Sequence, residues 1–366
     1  MKFEKLDHED IYGGIKGFER KKPSLKGKLL KLFAILTGLF IVAAGVGLGV
    51  LYNKVPTLNL GDKVVTSLPD DSPQEARFIV FGDMGYPGSG FQDKVAQLAE
   101  ELCQKENPTA VIITGDNFYM DGIKGADDPN WTKHFVNMYN SPCLSKLKFY
   151  SSFGNHDYRG NQEALINKTN ENENWVLPAR AYSVHFGDLL DLFVLDSNVV
   201  FDCKLPFCAI SQMEKRMQKS TARWKVAMAH HPLLSVGKYK KPKAVRSYFM
   251  TKALCNGGIK HYISGHDHNL QHLAGVPRNS PCSIHQWISG AGGAPLSKVT
   301  PEINPDISKF GKSESGLLLF KANPEKLVFQ FYGIEKGAEF PLYSYEDNSK
   351  PGLDYVENKS QKNQPQ

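Results

Sequence analysis

The sequence carries no glycine-rich phosphate loop, no serine or cysteine set in a nucleophile elbow, and no Cys-x-x-Cys or Cys/His pair at zinc spacing. These absences argue against a P-loop nucleotidase, a serine- or thiol-dependent hydrolase and a structural zinc domain. A basic stripe is also missing from the body of the chain. Of the formal net charge of +6, residues 1–31 hold nine Lys/Arg against five Asp/Glu, which leaves 35 basic against 33 acidic side chains in the rest. A nucleic-acid-binding domain would carry a basic excess in its folded part, so no nucleic-acid partner is expected. No repeat of fixed period is found. With 41% hydrophobic, 22% charged and 11% aromatic residues, disorder is excluded for the bulk of the chain, and 366 residues allow one large or two ordinary domains.

One long apolar run is present. LFAILTGLFIVAAGVGLGVLY, from Leu32 to Tyr52, contains no charge and as a helix spans about 31 Å, the thickness of a bilayer core. Arg20, Lys21, Lys22, Lys26, Lys28 and Lys31 crowd its N-terminal side. A buried helix and a cleaved signal peptide are the alternatives. The run is too long and uniform for the first, and it has too long a head and no small-x-small site for the second. The reading is a signal anchor, with a cytoplasmic head at 1–31, a membrane segment at 32–52, and everything after Asn53 luminal or extracellular. A linker at 53–75 with strand-like patches, a folded domain at 76–340 and a polar tail at 341–366 complete the expected organisation.

Six cysteines lie beyond the apolar run: Cys103, Cys143, Cys203, Cys208, Cys255 and Cys282. The expected topology favours disulfides, with Cys203 and Cys208 the most local candidate pair; free buried cysteines are the alternative. Asn130, Asn167 and Asn358 open glycosylation sequons.

What recurs is a short apolar run that ends in a small residue and then a polar, ligand-type side chain. RFIVFGD ends at Asp83, AVIITGD at Asp116, LKFYSSFGNHD at Asp157, KVAMAHHP at Pro232 and KHYISGHDH at His268. Each run is short and rich in β-branched or aromatic residues, so each predicts a buried strand. Helical patterns fall between them at 92–106, 211–219 and 244–253. Alternation of this kind predicts a largely parallel sheet, whose loops at the carboxyl ends of the strands gather in one crevice. The residues brought there are Asp, Tyr, Asn and several His, which are ligands suited to iron, zinc or manganese. Asp116 and Tyr119 are three apart in a turn. If the chain stays extended after its strand, His266 and His268 point the same way and Asp267 points away.

GDMG, GDNFY, GNHD, the AHHP segment and GHDH, in this order over residues 77–293, resemble the five motif blocks of the purple acid phosphatases, within the calcineurin-like metallophosphoesterases. GDNFY (115–119) and GHDHNLQ (265–271) are similar to the small, tartrate-resistant type. The resemblance implies an α/β fold in four layers, two mixed β-sheets packed face to face with helices outside, here preceded by one N-terminal transmembrane helix. SGLLLFKA and KLVFQFYGI would supply strands that complete the sheets.

Carried over residue by residue, the resemblance implies a ferric ion held by Asp83, Tyr119 and His268, a divalent ion (iron, zinc or manganese) held by Asn155, His230 and His266, and Asp116 bridging the two. A phenolate on ferric iron gives this family its colour. The fourth block departs from the family pattern: Ala227 replaces a valine, and His230 is followed by His231. His230 is assigned because the family ligand lies two residues before a proline, here Pro232, and His231 is the alternative. The implied activity is hydrolysis of phosphate monoesters in mild acid, by in-line attack of hydroxide generated at the binuclear site. His156 is the expected general acid, oriented by Asp157, with anchoring of the phosphate as its alternative role. A second substrate-side histidine that relatives often carry has no counterpart, and Tyr239 lies near its expected place. Two other classes are weighed beside the membrane-anchored phosphatase: a scaffold using the anchored fold to bind a partner complex, and an iron redox protein. Ligand loss would be the sign of a scaffold, and all seven ligand positions are filled.

Overall fold

The computed structural model describes residues 64–66, 74–88, 90–198, 208–241, 244–277, 280 and 282–349, the side chains of 64–66, 208–211 and 244–247 excepted. The basic head, the apolar run at 32–52, Cys203, the Cys208 side chain and the Asn358 sequon lie outside these residues. Among the described residues, no helix is long and apolar enough to cross a membrane.

In chain order the elements are β1 (Val64–Thr66), β2 (Ala76–Phe81), α1 (Gln92–Glu106), β3 (Ala110–Ile113), β4 (Phe149–Ser151), α2 (Gln162–Glu171), β5 (Trp175–Val176), β6 (Tyr182–Phe186), β7 (Leu190–Val194), α3 (Cys208–Lys219), β8 (Trp224–Met228), α4 (Ala244–Asn256), β9 (His261–Ser264), β10 (Leu270–Gly275), β11 (Ile284–Ser289), β12 (Ser308–Lys312), β13 (Gly316–Ala322), β14 (Leu327–Gly333) and β15 (Tyr343–Asp347). They build two mixed sheets. The first runs β1-β6-β7-β8-β9-β11-β10-β12 and the second β15-β14-β13-β2-β3-β4-β5. Within them β2, β3, β4 and β5 are mutually parallel, as are β7, β8, β9 and β11. Strands covered on both faces carry continuous apolar runs, and β2, β3 and β9 are buried almost throughout.

The sheets pack face to face through large side chains. Phe78 of β2 meets Phe186 of β6 at 4.8 Å, and Trp287 of β11 stacks on Phe329 of β14 at 4.2 Å. Helices form the outer layers. Val95, Leu98, Ala99 and Leu102 repeat at helical spacing on the buried face of α1. Burying a Val or Leu side chain contributes about 1.5–3 kcal/mol, so Leu102→Ala should cost about 2–5 kcal/mol. On the other side, Met213 and Met217 of α3 join Met250 and Leu254 of α4 over Phe193, Ala227 and Tyr262. Among the described residues, two disulfides fasten these layers, Cys103–Cys143 and Cys255–Cys282.

Two expected boundaries move. β1 pairs in parallel with β6, so part of the stretch taken as a linker is an edge strand. The stretch taken as a polar tail begins with β15, which pairs with β14. In β15 the side chains alternate: Ser344 and Glu346 are exposed, Tyr343 and Tyr345 are half-buried, and Asp347 is buried. Its buried face is aromatic and acidic rather than aliphatic, because it packs on a histidine cluster, and this conceals it in a reading based on apolar runs.

Candidate metal centre

The parallel strands deliver their following residues to one crevice. Asp83 follows β2, Asp116 and Tyr119 follow β3, Asn155 and His156 follow β4, His230 follows β8, and His266 and His268 follow β9. Glycine precedes Asp83, Asp116, Asn155 and His266 for a steric reason, clearest at Gly154. A Cβ there would lie 2.1 Å from the Asp116 backbone nitrogen and from its Oδ1. Three of the delivered residues, Asp83 (φ 57°), Asp116 (φ 50°) and His266 (φ 67°), adopt the left-handed region. That conformation costs a non-glycine residue of order 1 kcal/mol or more and persists only where the surroundings enforce it. The chain around His266 is therefore not extended as expected from its strand. The sharp turn still brings His266 and His268 to the crevice and turns Asp267 into the interior.

The Tyr119 hydroxyl is the centre of the first group. It lies 3.1 Å from Asp83 Oδ1, 3.0 Å from Asp116 Oδ2 and 3.2 Å from His268 Nε2. One hydroxyl hydrogen cannot serve three acceptors. In the second group, His230 Nε2 lies 3.3 Å from Asp116 Oδ2, 3.2 Å from Asn155 Oδ1 and 3.1 Å from His266 Nδ1. The remaining ring nitrogens fix the tautomers. His230 Nδ1–H donates to the Thr114 carbonyl at 2.9 Å, and His268 Nδ1–H donates to the Pro295 carbonyl at 2.8 Å. Each imidazole thus turns its Nε2 inward, the nitrogen that metal-binding histidines held in this way offer to an ion.

Charge tells the same story. Burial would raise the Asp116 carboxyl, but His230 and His156 hold it well below the usual carboxylate range. Burial would lower His230, yet Asp116 and Asp83 raise it, and His268 is raised in the same way by Asp83. Burial and the charges of Asp83 and Asp116 push the Tyr119 phenol well above its ordinary value. Protons on His230 and Tyr119 stand where positive charge is demanded. Converging carboxylates, imidazoles, an amide oxygen and a phenol fit a pair of hard or borderline cations. The ligand atoms of Asp83, Asp116 and His230 lie within 4.8 Å of one another, as do those of His230, His231 and His266.

His231 differs from His230 in its partners: Nδ1 lies 2.7 Å from Ser197 Oγ, and its ring packs against His266. His156 sits at the crevice, Nε2 4.0 Å from Asp116 Oδ2 and its ring 4.3 Å from that of Tyr119. Its orienting partner is not Asp157. His156 Nδ1–H donates to the Met120 carbonyl at 2.5 Å. Asp157 is fully buried and accepts from the backbone N–H of Asn117 and Gly154 and from the Asn117 amide, so it braces the β3 and β4 loops against each other. Backbone carbonyls such as those of Met120, Thr114 and Pro295 leave no signature in a sequence. Ser197 does: LFVLDSN is another short apolar run ending in polar residues.

The profile of the calcineurin-like phosphoesterase family matches residues 76–270. Purple acid phosphatase 17 of Arabidopsis thaliana is 30% identical over 291 residues, covering 73% of this chain and 83% of that protein. Tartrate-resistant acid phosphatase type 5 of Homo sapiens is 25% identical over 315 residues, covering 79% and 93%. In fold, the chain is similar to GAP50, the anchor in the inner membrane complex of Plasmodium (TM-score 0.64, 22% identity, 78% of this chain and 93% of that one). It is also similar to purple acid phosphatase PPD1 from yellow lupin seeds (TM-score 0.60, 17% identity, 76% and 54%).

Proposed function

We propose that this chain, which belongs to the calcineurin-like phosphoesterases and among them to the purple acid phosphatases, hydrolyses phosphate monoesters in mild acid at a binuclear metal centre. The convergence of Asp83, Asp116 and His268 on the Tyr119 hydroxyl carries this reading. Asp83, Tyr119 and His268 would hold ferric iron; Asn155, His230 and His266 would hold a divalent ion, iron, zinc or manganese; Asp116 lies between the sets. When bound, the ion pair supplies Lewis acidity and neutralises charge building on the phosphoryl oxygens.

The chain's own residues do the rest. The Met120 carbonyl holds the Nδ1–H of His156 and so aims Nε2 into the crevice, where a protonated imidazole can give its proton to the leaving-group oxygen as the ester bond breaks. Asp157 keeps that loop in register with the Asp116 turn. The Thr114 and Pro295 carbonyls stop His230 and His268 from rotating away.

Asp116→Ala separates enzyme from scaffold. In the wild type, metal analysis should find two ions per chain and p-nitrophenyl phosphate should turn over. The variant should lose ion pairing and at least 99% of turnover while keeping its circular dichroism spectrum. A wild type that is folded, metal-free and inactive would assign the chain to the scaffold reading, and unchanged turnover in the variant would remove the binuclear mechanism.

The reading includes a place. Residues 32–52 anchor the chain, with the catalytic domain luminal or extracellular. The disulfides Cys103–Cys143 and Cys255–Cys282 support this, since such bonds persist in oxidising compartments. Protease added outside sealed vesicles of known orientation tests it, and digestion from the cytosolic side would reverse the assignment.

A further inference from the structure

The segment Ser235–Lys241, downstream of His230, contributes none of the proposed ligands, yet it is fastened to the turn that carries two of them. Asp267, fully buried between the proposed ligands His266 and His268, accepts from Ser235 Oγ at 2.6 Å, from Ser297 Oγ at 2.5 Å and from Asn269 Nδ2 at 2.9 Å. The same carboxylate takes the backbone N–H groups of Lys238 and Tyr239, both at 3.3 Å. Gly237 permits the approach, because a Cβ there would lie 2.3 Å from Asp267 Oδ2. Tyr239 consequently lies flat on His266, ring centroids 3.9 Å apart and planes 26° apart. The Lys238 ammonium sits over the other ring of this pair, 5.3 Å from the Tyr239 centroid. It is one aromatic ring away from a proposed ligand imidazole.

Lys238 does not act alone. Lys240 and Lys241 are exposed on the same loop. From residue 215 to 266 the sequence holds twelve Lys/Arg and no Asp or Glu. On the opposite lip, by Met120, the exposed cations Arg159 and Lys124 stand among acidic side chains: Arg159 faces Asp121 at 4.0 Å, and Asp127 and Asp128 follow Lys124. Lys238, Lys240 and Lys241, set against the one buried carboxylate of Asp267, leave positive charge on this side of the crevice, where cations bind and steer anions.

Resting on the phosphoesterase reading of this site, we infer that Lys238, supported by Lys240, forms a second anion subsite beside the metal centre and selects phosphoesters and phosphoanhydrides whose leaving group carries a further phosphate. A nucleoside diphosphate is the simplest such substrate: its terminal phosphoryl group would enter the crevice while the remaining phosphate rests on Lys238. Tyr239 has a structural part, holding the lysine-bearing backbone at a fixed height above His266.

Two measurements on the full chain test this. In calorimetry, Lys238→Ala should weaken binding of inorganic tripolyphosphate about tenfold more than binding of orthophosphate, and Lys238→Arg should restore most of the difference. In kinetics, the same substitution should lower kcat/KM for ADP about tenfold more than for p-nitrophenyl phosphate, with the gap shrinking as salt rises. If p-nitrophenyl phosphate is hydrolysed but Lys238→Ala changes both substrates and both anions in equal proportion, the subsite is wrong and the phosphatase reading stands. If no ester is hydrolysed while the tripolyphosphate preference still depends on Lys238, the subsite stands and the phosphatase reading falls.

Discussion

Removing a single oxygen atom, in Tyr119→Phe, separates the ferric assignment from a purely structural tyrosine. The side chain is 4% exposed, and its hydroxyl touches two carboxylates and an imidazole. Without a cation the phenol stays protonated, since burial and the charges of Asp83 and Asp116 hold it well above its ordinary value of 10.0. At pH 5 an ionised Tyr119 would then cost more than about 7 kcal/mol, so only a strongly charged ion can produce the phenolate. In metal-free protein the hydroxyl is instead a donor to a carboxylate, a bond of about 1.5–3 kcal/mol. Tyr119→Phe should therefore lower the Tm of metal-free protein by about 4 °C. Added to metal-free wild type, ferric iron should release a proton and raise a strong visible charge-transfer band; the variant should show no band. Turnover should fall less than in Asp116→Ala, because Asp83, Asp116 and His268 still surround the ion. A wild type that is active and fully loaded but colourless would overturn the ferric assignment and favour zinc or manganese, leaving hydrolysis itself untouched.

Two further outcomes follow from the scaffold around the site. The Cys103–Cys143 bond closes a loop of 40 residues, so replacing both cysteines by alanine should cost about 4 kcal/mol by loop-closure entropy; an unchanged denaturant midpoint would contradict this. In the inter-sheet cluster, burial lowers His272 to about 2 and His285 to about 4, where neighbouring His261 and the cations Lys260 and Lys309 also act. Both groups bind protons more tightly in the unfolded chain. Stability should therefore be full above about pH 6.5 and decline as pH falls toward 4, by up to about 1.4 kcal/mol per pH unit for each histidine. His272→Gln should flatten that limb in a plot of Tm against pH, and a limb of unchanged slope would show that other groups govern it.

The sequence made legible what depends on side-chain pattern. The strands that carry ligands are short saturated runs, and β2, β3, β4, β8 and β9 all lie where those runs predict. The helix expected at 92–106 has those bounds, while α3 and α4 each extend three residues beyond theirs. Cys203–Cys208, the nearest pair in the chain, lies outside the described residues. The pairs formed among the described residues are 40 and 27 residues apart, since proximity in sequence says little about which Cα atoms a fold brings together. His156 illustrates the other limit. Its neighbour Asp157 has the right chemistry to orient it, but four donors, the backbone N–H groups of Asn117, Phe118 and Gly154 and the Asn117 amide, claim that carboxylate, and a carbonyl does the work. Likewise, alternation could not foresee the left-handed turn at His266, which depends on what packs around it.

The two disulfides share a property that bears on the metal centre. Cys103 and Cys143 both belong to the layers around β2, β3 and β4, and Cys255 and Cys282 both belong to those around β9 and β11, so among the described residues no disulfide ties one sheet to the other. The proposed ions do. Asp83 and Tyr119 come from one sheet and His268 from the other; Asn155 comes from the first, and His230 and His266 from the second. Each ion, when bound, would thus be a rivet through the sandwich, and a chelator would act on the join between the halves much as a reductant acts on a disulfide.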